Sequence, residues 1–366
     1  MKIAIVVGTR PEIIKMSPII KACRERRIDH FILHTGQHYS YNLDSVFFSD
    51  LGLPQPKYNL EVGSGTHAEI TGRAMTGIER VLAKEKPTCL LVEGDTDSVL
   101  AGALAAAKTG IRVGHVEAGL RSYDRRMPEE INRRLADHIS DYLFAPTIKS
   151  RKILEEENVP GKIFVTGNTI VDAVNQSLEA ATKKSAIVDS LGLEKSGYFL
   201  ATVHRQENVD DRKNIARILE SLEAVAGMDI PIVYPMHPRT GKMLEKFNLK
   251  SRADGIRNLK IVEPLSYLDF LSLEANARLI LTDSGGIQEE ACILKIPCVT
   301  LRSSTERPET VEVGGNAIAG LEAAAVVNCV HAMLRKKRTW KNPFGDGTAG
   351  RKIVRILRGS EMGLAS

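Results

Sequence analysis

Residues 278–290 decide the fold, and their sequence is Arg-Leu-Ile-Leu-Thr-Asp-Ser-Gly-Gly-Ile-Gln-Glu-Glu. The apolar run at 278–282 predicts a strand, the two glycines predict a tight turn, and the residues after them predict a helix. The free backbone N–H groups and the dipole at the start of such a helix favour an anion such as a diphosphate. Gly285 and Gly286 let an anion come close to the backbone because they carry no side chain.

Two further residues of this stretch are candidates for ligand contacts. Glu290, one turn into the helix, is placed to accept the two hydroxyls of a ribose, by analogy with the acidic residue of dinucleotide-binding folds. Ser284 lies at the helix N-terminus, where a serine also serves simply as an N-cap. A plain glycine turn with a capping serine is therefore the alternative to an anion site.

Short β-branched runs alternate with longer amphipathic runs along the rest of the chain in the same way. In chain order, the predicted strands are 3–7, 31–35, 88–92, 112–116, 142–145, 198–203, 230–234, 259–262, 278–282 and 297–301. The predicted helices include 12–25, 99–108, 129–140 and 350–357. The strands look like continuous, mostly apolar runs, which favours parallel sheets covered by helices on both faces. We therefore predict an α/β fold.

The strands fall into two series, separated by a polar, helix-prone stretch at 176–196. At about 150 residues per domain, a chain of 366 residues has room for two domains. We predict an N-terminal Rossmann-like domain over residues 1–172, a C-terminal one over 173–345, and a last helical segment over 346–366. Ligands of such sheets bind at the carboxyl ends of the strands, so we expect the site in a cleft between the two domains.

Composition and charge exclude several other classes of protein. Hydrophobic residues make up 43% of the chain and charged residues 26%, and no apolar run approaches the roughly 18 residues of a membrane span. A formal net charge of +5 over the whole chain does not suit a nucleic-acid-binding surface. The five cysteines lack a metal-binding spacing. We therefore expect reduced thiols, no metal, no membrane or nucleic-acid partner, and a cytoplasmic location.

The turn after the first predicted strand carries two basic candidates. It reads Gly-Thr-Arg-Pro-Glu over residues 8–12 and lacks the three-glycine spacing of dinucleotide-binding folds, so a nicotinamide cofactor is not indicated. Arg10 and Lys15 are candidates for phosphate contacts because they lie beside a helix N-terminus. The alternative is that both are solvated charges on the first helix.

Three carboxylates of the first domain lie at strand ends or in loops: Asp95, Glu117 and Glu129. When two carboxyls share one cleft, their environments can give them opposite acid and base roles. The alternative is a structural role in helix capping or in ion pairs.

The second domain carries histidine and arginine candidates. His204 follows the first strand of that domain and is expected to face the ligand, and His237 takes the equivalent place one strand later. A histidine at such a position also serves as a helix cap. Arg307 lies in a loop that is placed to close on the same phosphates.

Six segments together resemble the non-hydrolysing UDP-N-acetylglucosamine 2-epimerase family in order and spacing: GTRPE at 8–12, GDTDS at 94–98, HVEAGLRS at 115–122 with MPEEINR at 127–133, HRQEN at 204–208, TDSGGIQEEA at 282–291, and TERPE at 305–309. The resemblance extends over nearly the whole chain. It implies the GT-B architecture, in which the active site lies between two Rossmann-like domains and the C-terminal helix returns to the first. It also implies a homodimer that uses no cofactor and binds a UDP-sugar.

Carried over position by position, the resemblance implies a role for each candidate. The UDP phosphates or the sugar would be held by basic, histidine and helix-terminus residues, namely Arg10, Lys15, His204, Ser284, Gly285, Gly286 and Arg307. Glu290 would hold the ribose, and Phe270, with the backbone near Leu265, would hold the uracil. Asp95, Glu117 and Glu129 match the catalytic carboxylates of the family.

The chain departs from the family pattern at two places. Leu265 occupies a position where the family commonly has Gln. If the uracil is contacted there through the backbone, this difference in side chain has little effect on binding. Residues 39–42 are Tyr-Ser-Tyr-Asn, where the bacterial members have a charged stretch linked to activation by substrate. The resemblance therefore does not extend to that regulation.

The implied reaction inverts C2 of a nucleotide sugar without a redox cofactor. UDP leaves C1 while the C2 proton is removed, and UDP then adds back to the resulting 2-acetamidoglucal from the other face. Carboxylates among Asp95, Glu117 and Glu129 would move the proton on the two faces. His204, Arg10 and the helix terminus at 284–286 would stabilise the departing UDP.

Other functions remain open to the sequence. The same epimerisation of a UDP-2,3-diacetamido-uronic acid would call for an arginine near the substrate carboxylate, and Arg121, Arg125 and Arg126 are candidates for it. A hydrolysing epimerase, a GT-B glycosyltransferase and a non-enzymatic nucleotide-sugar sensor are further alternatives. The three carboxylates of the first domain argue against the transferase and the sensor.

Overall fold

The computed structural model describes residues 1–36 and 47–362. The chain folds into two compact units, of which the first is Met1–Asn175 with Phe344–Ser366 and the second is Gln176–Pro343. The departure from the family pattern at residues 39–42 lies outside the described residues.

The first unit is an α/β unit in which strands and helices alternate. Its strands are β1 (Lys2–Val7), β2 (Asp29–His34), β3 (Tyr58–Asn59), β4 (Cys89–Glu93), β5 (Arg112–Val116), β6 (Tyr142–Ala145) and β7 (Lys162–Val165). The helices that follow these strands are α1 (Arg10–Glu25), α2 (His67–Glu85), α3 (Asp97–Lys108), α4 (Pro128–Ile139), α5 (Ile148–Glu156) and α6 (Thr169–Lys184). Threonines begin α1 and α3 as N-caps, and Glu12 completes a capping box with Thr9 at α1.

The strands of the first unit form one parallel sheet in the order β3-β2-β1-β4-β5-β6-β7. The chain reverses its direction across the sheet between β1 and β4, and this switch point is where ligands of such sheets bind. Gly8 follows β1 there and is tightly packed, because a Cβ on it would lie 2.5 Å from Thr35 Oγ1. The backbone turns that carry the candidate residues therefore meet at this edge of the sheet.

The second unit repeats this arrangement. Its strands are β8 (Phe199–Thr202), β9 (Ile232–Pro235), β10 (Leu259–Val262), β11 (Leu279–Thr282), β12 (Cys298–Thr300) and β13 (Asn316–Ile318). Its helices are α7 (Ile187–Ser190), α8 (Gln206–Val209), α9 (Arg212–Ala226), α10 (Pro238–Lys246), α11 (Lys250–Asp254), α12 (Tyr267–Asn276), α13 (Gly285–Leu294), α14 (Pro308–Glu312) and α15 (Ala323–Leu334). The sheet is parallel in the order β10-β9-β8-β11-β12-β13, so its switch point lies between β8 and β11.

The helix α16 (Ala349–Met362) belongs to the first unit and packs on α1. The Asp172 carboxylate accepts hydrogen bonds from the backbone N–H groups of Ala349 at 3.1 Å and Gly350 at 3.0 Å, and so caps the start of α16. Gly350 lies so close to α1 that a Cβ on it would be 2.8 Å from the backbone carbon of Pro18. The helix is thus fixed to the first unit at its N-terminus and along its side.

The predicted α/β fold with parallel sheets is confirmed. The predicted strands 112–116, 142–145 and 259–262 match observed strands at both ends. The prediction did not include α2, β3 or β7, of which β3 has two residues and β7 is partly exposed. Within the described part of the chain, no helix combines the length and the apolar character needed to cross a membrane.

Candidate active site

A group of buried charged side chains lies at the carboxyl ends of β1, β4 and β5. Lys15, on α1, forms ion pairs with Glu117 and, at 3.3 Å, with Glu93 Oε1. The Asn168 side-chain amide donates a second hydrogen bond to Glu117, at 3.2 Å. The structure therefore brings two of the predicted residues, Lys15 and Glu117, into direct contact and adds Glu93 to them.

Glu117 has an unusual backbone conformation. Its φ is +69°, in the left-handed region that residues other than glycine rarely adopt. Such a conformation costs roughly 1–3 kcal/mol and persists where the surrounding structure enforces it, most often at functional sites. The contacts with Lys15 and Asn168 then fix the side chain, so the carboxylate has a defined direction.

Glu12 is a second buried carboxyl of α1. It accepts hydrogen bonds from the backbone N–H groups of Gly8 and Thr9 and, at 2.5 Å, from Thr96 Oγ1. Burial raises the pKa of Glu12 to about 7, against the lowering effect of these hydrogen bonds. Glu12 thereby ties the turn after β1 to the turn after β4.

Asp95 lies in the turn after β4 and is held by α4. Arg133 pairs with the Asp95 carboxylate through one guanidinium nitrogen and lies 2.6 Å from Glu130 through another. The Asn132 side-chain amide donates to the Asp95 backbone carbonyl at 3.0 Å. The Asp95 side chain is 27% exposed, so its carboxylate is both positioned and accessible to a ligand.

The two glutamates at the start of α4 differ in their surroundings. Glu130 is buried and accepts from the backbone N–H groups of Ser122 at 2.8 Å and Tyr123 at 3.2 Å, so it orders the preceding loop. Glu129 is half-buried, and in the described part of the chain no hydrogen bond or ion pair joins it to Asp95 or Glu117. The structure therefore gives Glu130 a structural role and leaves the predicted role of Glu129 as a prediction.

His115 supports the turn that carries Asp95. Its Nδ1 lies 2.7 Å from Asp137 Oδ1 and its Nε2 lies 2.8 Å from the Gly94 carbonyl oxygen. Burial lowers the pKa of His115, but the Asp137 carboxylate and the Gly94 carbonyl raise it more, so the net shift is upward. Because both ring nitrogens face acceptors, the imidazolium form fits this position.

Arg121 is not available for a substrate carboxylate, contrary to the expectation above. Its guanidinium is fully buried and lies 2.7 Å from Asp137 and 2.7 Å from Glu157. Arg126 is highly exposed and pairs with Asp124 at 2.7 Å. Of the three arginines considered for a uronic acid, two are therefore already paired within the chain.

In the second unit, the buried Asp283 organises the switch point. Its carboxylate accepts from the backbone N–H groups of His204 at 3.1 Å and Arg205 at 3.0 Å, and from the Asn208 side-chain amide at 3.0 Å. Asp283 thus joins the turn after β8 to the turn after β11. The predicted anion-binding turn and the predicted His204 are brought together by a residue that the sequence analysis did not assign.

His204 is half-buried in this turn, with its Nδ1 3.6 Å from Asp283. Burial lowers its pKa more than the Asp283 carboxylate raises it, so the net shift is downward. The His237 ring lies 5.4 Å away between centroids. His237 is the N-cap of α10, since its ring nitrogen accepts from the Arg239 backbone N–H at 3.2 Å.

A buried carboxylate, Glu306, lies against the start of α13. It forms an ion pair with Arg205 at 2.9 Å and one with Arg302 at 2.7 Å. Burial alone would raise the pKa of Glu306, but Arg205, Arg302 and Arg307 hold it well below its ordinary value. A Cβ at position 285 would lie 2.6 Å from Glu306 Oε1, so this approach requires a glycine there.

The remaining predicted residues of the second unit lie around α12 and α13. The buried Arg307 pairs with Glu289 of α13 at 2.6 Å. The Tyr267 hydroxyl donates to Glu290 at 3.4 Å. Leu265 and Phe270 pack, partly buried, against the same hydrophobic cluster. Glu290, Leu265 and Phe270 therefore lie on neighbouring segments of the second unit, as the ribose and uracil contacts of a nucleoside site would require.

Arg10 lies at the start of α1, and its guanidinium is 4.7 Å from the centroid of the Phe47 ring. This cation–π contact orders a side chain that the sequence analysis placed near phosphate.

Comparison with known proteins agrees with this geometry. The sequence model of a family described as UDP-N-acetylglucosamine 2-epimerase matches residues 21–358. The chain is 56% identical over 362 residues to the UDP-N-acetylglucosamine 2-epimerase of Methanocaldococcus jannaschii, covering 98% of this chain and 99% of the relative. It is 40% identical over 362 residues to the UDP-2,3-diacetamido-2,3-dideoxy-D-glucuronate 2-epimerase of Pseudomonas aeruginosa, with 98% and 99% covered.

Solved structures give the same result. The crystal structure of the Methanocaldococcus jannaschii UDP-GlcNAc 2-epimerase in complex with UDP-GlcNAc and UDP matches this chain with a TM-score of 0.93 at 56% identity. The match covers 98% of this chain and 99% of that one. From the family match, the identity over almost the full length and the shared fold, we conclude that the chain belongs to the UDP-N-acetylglucosamine 2-epimerase family.

Proposed function

We propose that this chain interconverts UDP-N-acetylglucosamine and UDP-N-acetylmannosamine at C2 without hydrolysing the nucleotide sugar. The observation that carries the proposal is Glu117, a carboxylate on a left-handed backbone whose direction is fixed by Lys15 and Asn168. Its surroundings are those of a group held ready for proton transfer. The family membership and the UDP-GlcNAc complex of the similar enzyme support the proposal.

In this proposal the second unit binds UDP. The diphosphate accepts hydrogen bonds from the start of α13, at Ser284, Gly285 and Gly286, and contacts His204 and Arg307. Glu290 accepts the ribose hydroxyls, and Phe270 with the backbone at Leu265 holds the uracil. Arg10 and Lys15 of the first unit supply positive charge.

The first unit supplies the groups that move the proton. UDP leaves C1 as a carboxylate removes the C2 proton, which gives 2-acetamidoglucal, and UDP returns after protonation of the other face. Asp95, Glu117 and Glu129 are the proposed acid and base groups. The imidazole of His204 and the N-terminus of α13 stabilise the charge that develops on the departing diphosphate.

We favour the unmodified sugar over a uronic acid. The identity to the UDP-N-acetylglucosamine 2-epimerase is 56%, against 40% to the UDP-2,3-diacetamido-uronate enzyme. A uronate also requires a cation for its carboxylate, and Arg121 is engaged with Asp137 and Glu157. The proposal also includes a cytoplasmic location and a homodimer. Light scattering of the purified protein tests the homodimer.

The decisive experiment uses heavy water. Purified protein is incubated with UDP-N-acetylglucosamine without NAD or added metal, and C2 is followed by proton NMR. The expected result is the manno epimer with deuterium at C2. Accumulation of only UDP and free sugar would indicate a hydrolysing enzyme, and no change at all would contradict the proposal for this substrate.

A matched variant assigns the chemistry. Glu117→Gln keeps the size of the side chain and removes its basicity, so we expect deuterium incorporation to fall by at least about 100-fold. UDP binding, measured by calorimetry, should remain within a few-fold because the second unit is unchanged. Equal deuterium incorporation in the variant and the wild type would remove Glu117 from the mechanism.

A further inference from the structure

Glu93, at the end of β4, is a buried carboxyl that the proposed mechanism does not use. It is 2% exposed. The charged groups that face it are Lys15 and Glu12 from α1 and Glu117 from the turn after β5. Lys15 balances one negative charge, so ionising all three carboxyls would leave a large uncompensated charge in a buried site. At least one of the three therefore keeps a proton.

The distribution of hydrogen-bond donors indicates which carboxyl that is. Glu12 accepts from Gly8, Thr9 and Thr96, and Glu117 accepts from Lys15 and Asn168. Donors of this kind stabilise a carboxylate anion. Glu93 Oε1, by contrast, has no hydrogen-bond partner among the described residues and lies 3.3 Å from the Lys15 ammonium. An anion at Glu93 would thus be the least stabilised of the three.

The carboxyl groups of Glu93 and Glu117 both contact the Lys15 ammonium, Glu93 at 3.3 Å, so the two carboxyls lie side by side. Two ionised carboxylates are both acceptors, so a hydrogen bond between them requires that one of them carries a proton. We propose that Glu93 retains its proton and donates a hydrogen bond from its O–H group to the Glu117 carboxylate, which makes Glu93 a positioning residue that holds Glu117 ionised and oriented. Its role in catalysis rests on the proposed function, whereas its protonation does not.

The electrostatics agree with this assignment. Burial raises the pKa of Glu93 well above its ordinary value, Glu117 and Glu12 raise it further, and Lys15 opposes them. The O–H of Glu93 in turn stabilises the anionic form of Glu117, because a hydrogen bond to the charged form of an acid lowers its pKa. In this proposal Glu93 donates to Glu117 alongside the observed donors Lys15 and Asn168.

The first test detects the proton directly and needs no substrate. Infrared spectra of the wild type and of Glu93→Gln are compared at pH 7.5 in the carbonyl-stretch region of protonated carboxyls. The expected difference spectrum contains one such band, present in the wild type and lost in the variant. A flat difference spectrum would mean that Glu93 is ionised and would overturn the proposal. The outcome holds whether or not the enzyme acts on UDP-N-acetylglucosamine.

The second test separates positioning from packing. Glu93→Gln keeps an N–H donor toward Glu117, whereas Glu93→Leu removes it at similar volume. Loss of the donor raises the pKa of Glu117, so the acid limb of kcat/KM against pH should move upward by about one pH unit in the Leu variant and stay in place in the Gln variant. Thermal unfolding checks that both variants fold.

Either of two results in this second test overturns the positioning role: the same limb shift in both variants, or no shift in the Leu variant. If the Leu variant does not fold, the Gln variant alone decides, because an ionised Glu93 would make that substitution move the limb. A wild type without epimerase activity would overturn the proposed function, while the infrared comparison still decides the protonation of Glu93.

Discussion

Burial lowers the pKa of His204 below its ordinary value despite the nearby Asp283, which favours the neutral imidazole in the free protein. A diphosphate beside it favours the charged form. UDP binding should therefore take up as much as one proton, and UDP affinity should fall as the pH rises from 6 to 8. Calorimetry in two buffers of different ionisation enthalpy measures this uptake.

The controls for this prediction are the two neighbouring histidines. His204→Asn should abolish the proton uptake, and His237→Asn should retain most of it, since His237 is the cap of α10. Unchanged uptake in His204→Asn would show that another group binds the proton.

The raised pKa of Glu12 predicts that the stability of the protein depends on pH. Its pKa of about 7 in the folded protein lies above the ordinary value of 4.5. Between these two values the folded state holds the proton more firmly than the unfolded state, so the free energy of unfolding falls as the pH rises. A pKa shift of this size lowers the free energy of unfolding by about 3 kcal/mol, and the full loss is reached above pH 7.

Urea unfolding of the wild type and of Glu12→Gln at pH 5 and pH 8 tests this. The variant lacks the titrating group, so its stability relative to the wild type should improve by about 2.5 kcal/mol between the two pH values, since part of the effect is already present at pH 5. A constant difference between the two proteins would contradict the raised pKa.

The residues that sequence reasoning missed share one property. Asp283 bonds to residues 78 and 79 positions away, Arg133 pairs with Asp95 38 positions away, and Arg205 pairs with Glu306 101 positions away. Periodicity and motif spacing report local structure, and these pairs exist only after the sheets have formed. The same holds for Arg121, whose two acidic partners could not be assigned from its own motif.

At the scale of the element, the start of α13 gives a paired prediction. A Cβ at Gly285 meets the Glu306 carboxylate at 2.6 Å, whereas the nearest atom to a Cβ at Gly286 is Ser284 Oγ, at 3.9 Å. Gly285→Ala should therefore destabilise the protein by about 1–3 kcal/mol through overpacking. Gly286→Ala should leave it unchanged or stabilise it by up to about 1 kcal/mol.

The same pair of variants locates the phosphate. If UDP approaches the backbone at 286, Gly286→Ala should weaken UDP binding by 10-fold or more without loss of stability. Calorimetry and thermal unfolding separate the two effects. Full affinity in Gly286→Ala would place the phosphates away from this glycine.

The elements themselves were largely predictable because a buried parallel strand has a distinct sequence. β5 and β6 are buried, continuous short runs between turns, and their predicted bounds match the observed ones. β3 and β7 escaped prediction since a strand of two residues and a partly exposed one lack that signature. α2 was not predicted, although Thr66 and Glu69 form a capping box at its start.

At the scale of the whole molecule, the assignment of UDP to one unit is testable in the intact chain. A ligand that binds only the folded form protects the segments that it contacts from local opening. Hydrogen–deuterium exchange with saturating UDP should show protection at residues 203–209 and 283–290 of the second unit. Protection at the turn after β4 instead would contradict the assignment.

The position of α16 has a consequence for how the protein is made. The first unit is interrupted by the whole of the second, and the helix that covers α1 is encoded after that second unit. At a synthesis rate of roughly 5–20 residues per second, the ribosome needs about 10–30 s to translate the intervening segment. During that interval the α1 surface of the nascent first unit stays exposed and can bind chaperones or other nascent chains. Messages truncated before residue 349 would release chains that keep this surface exposed.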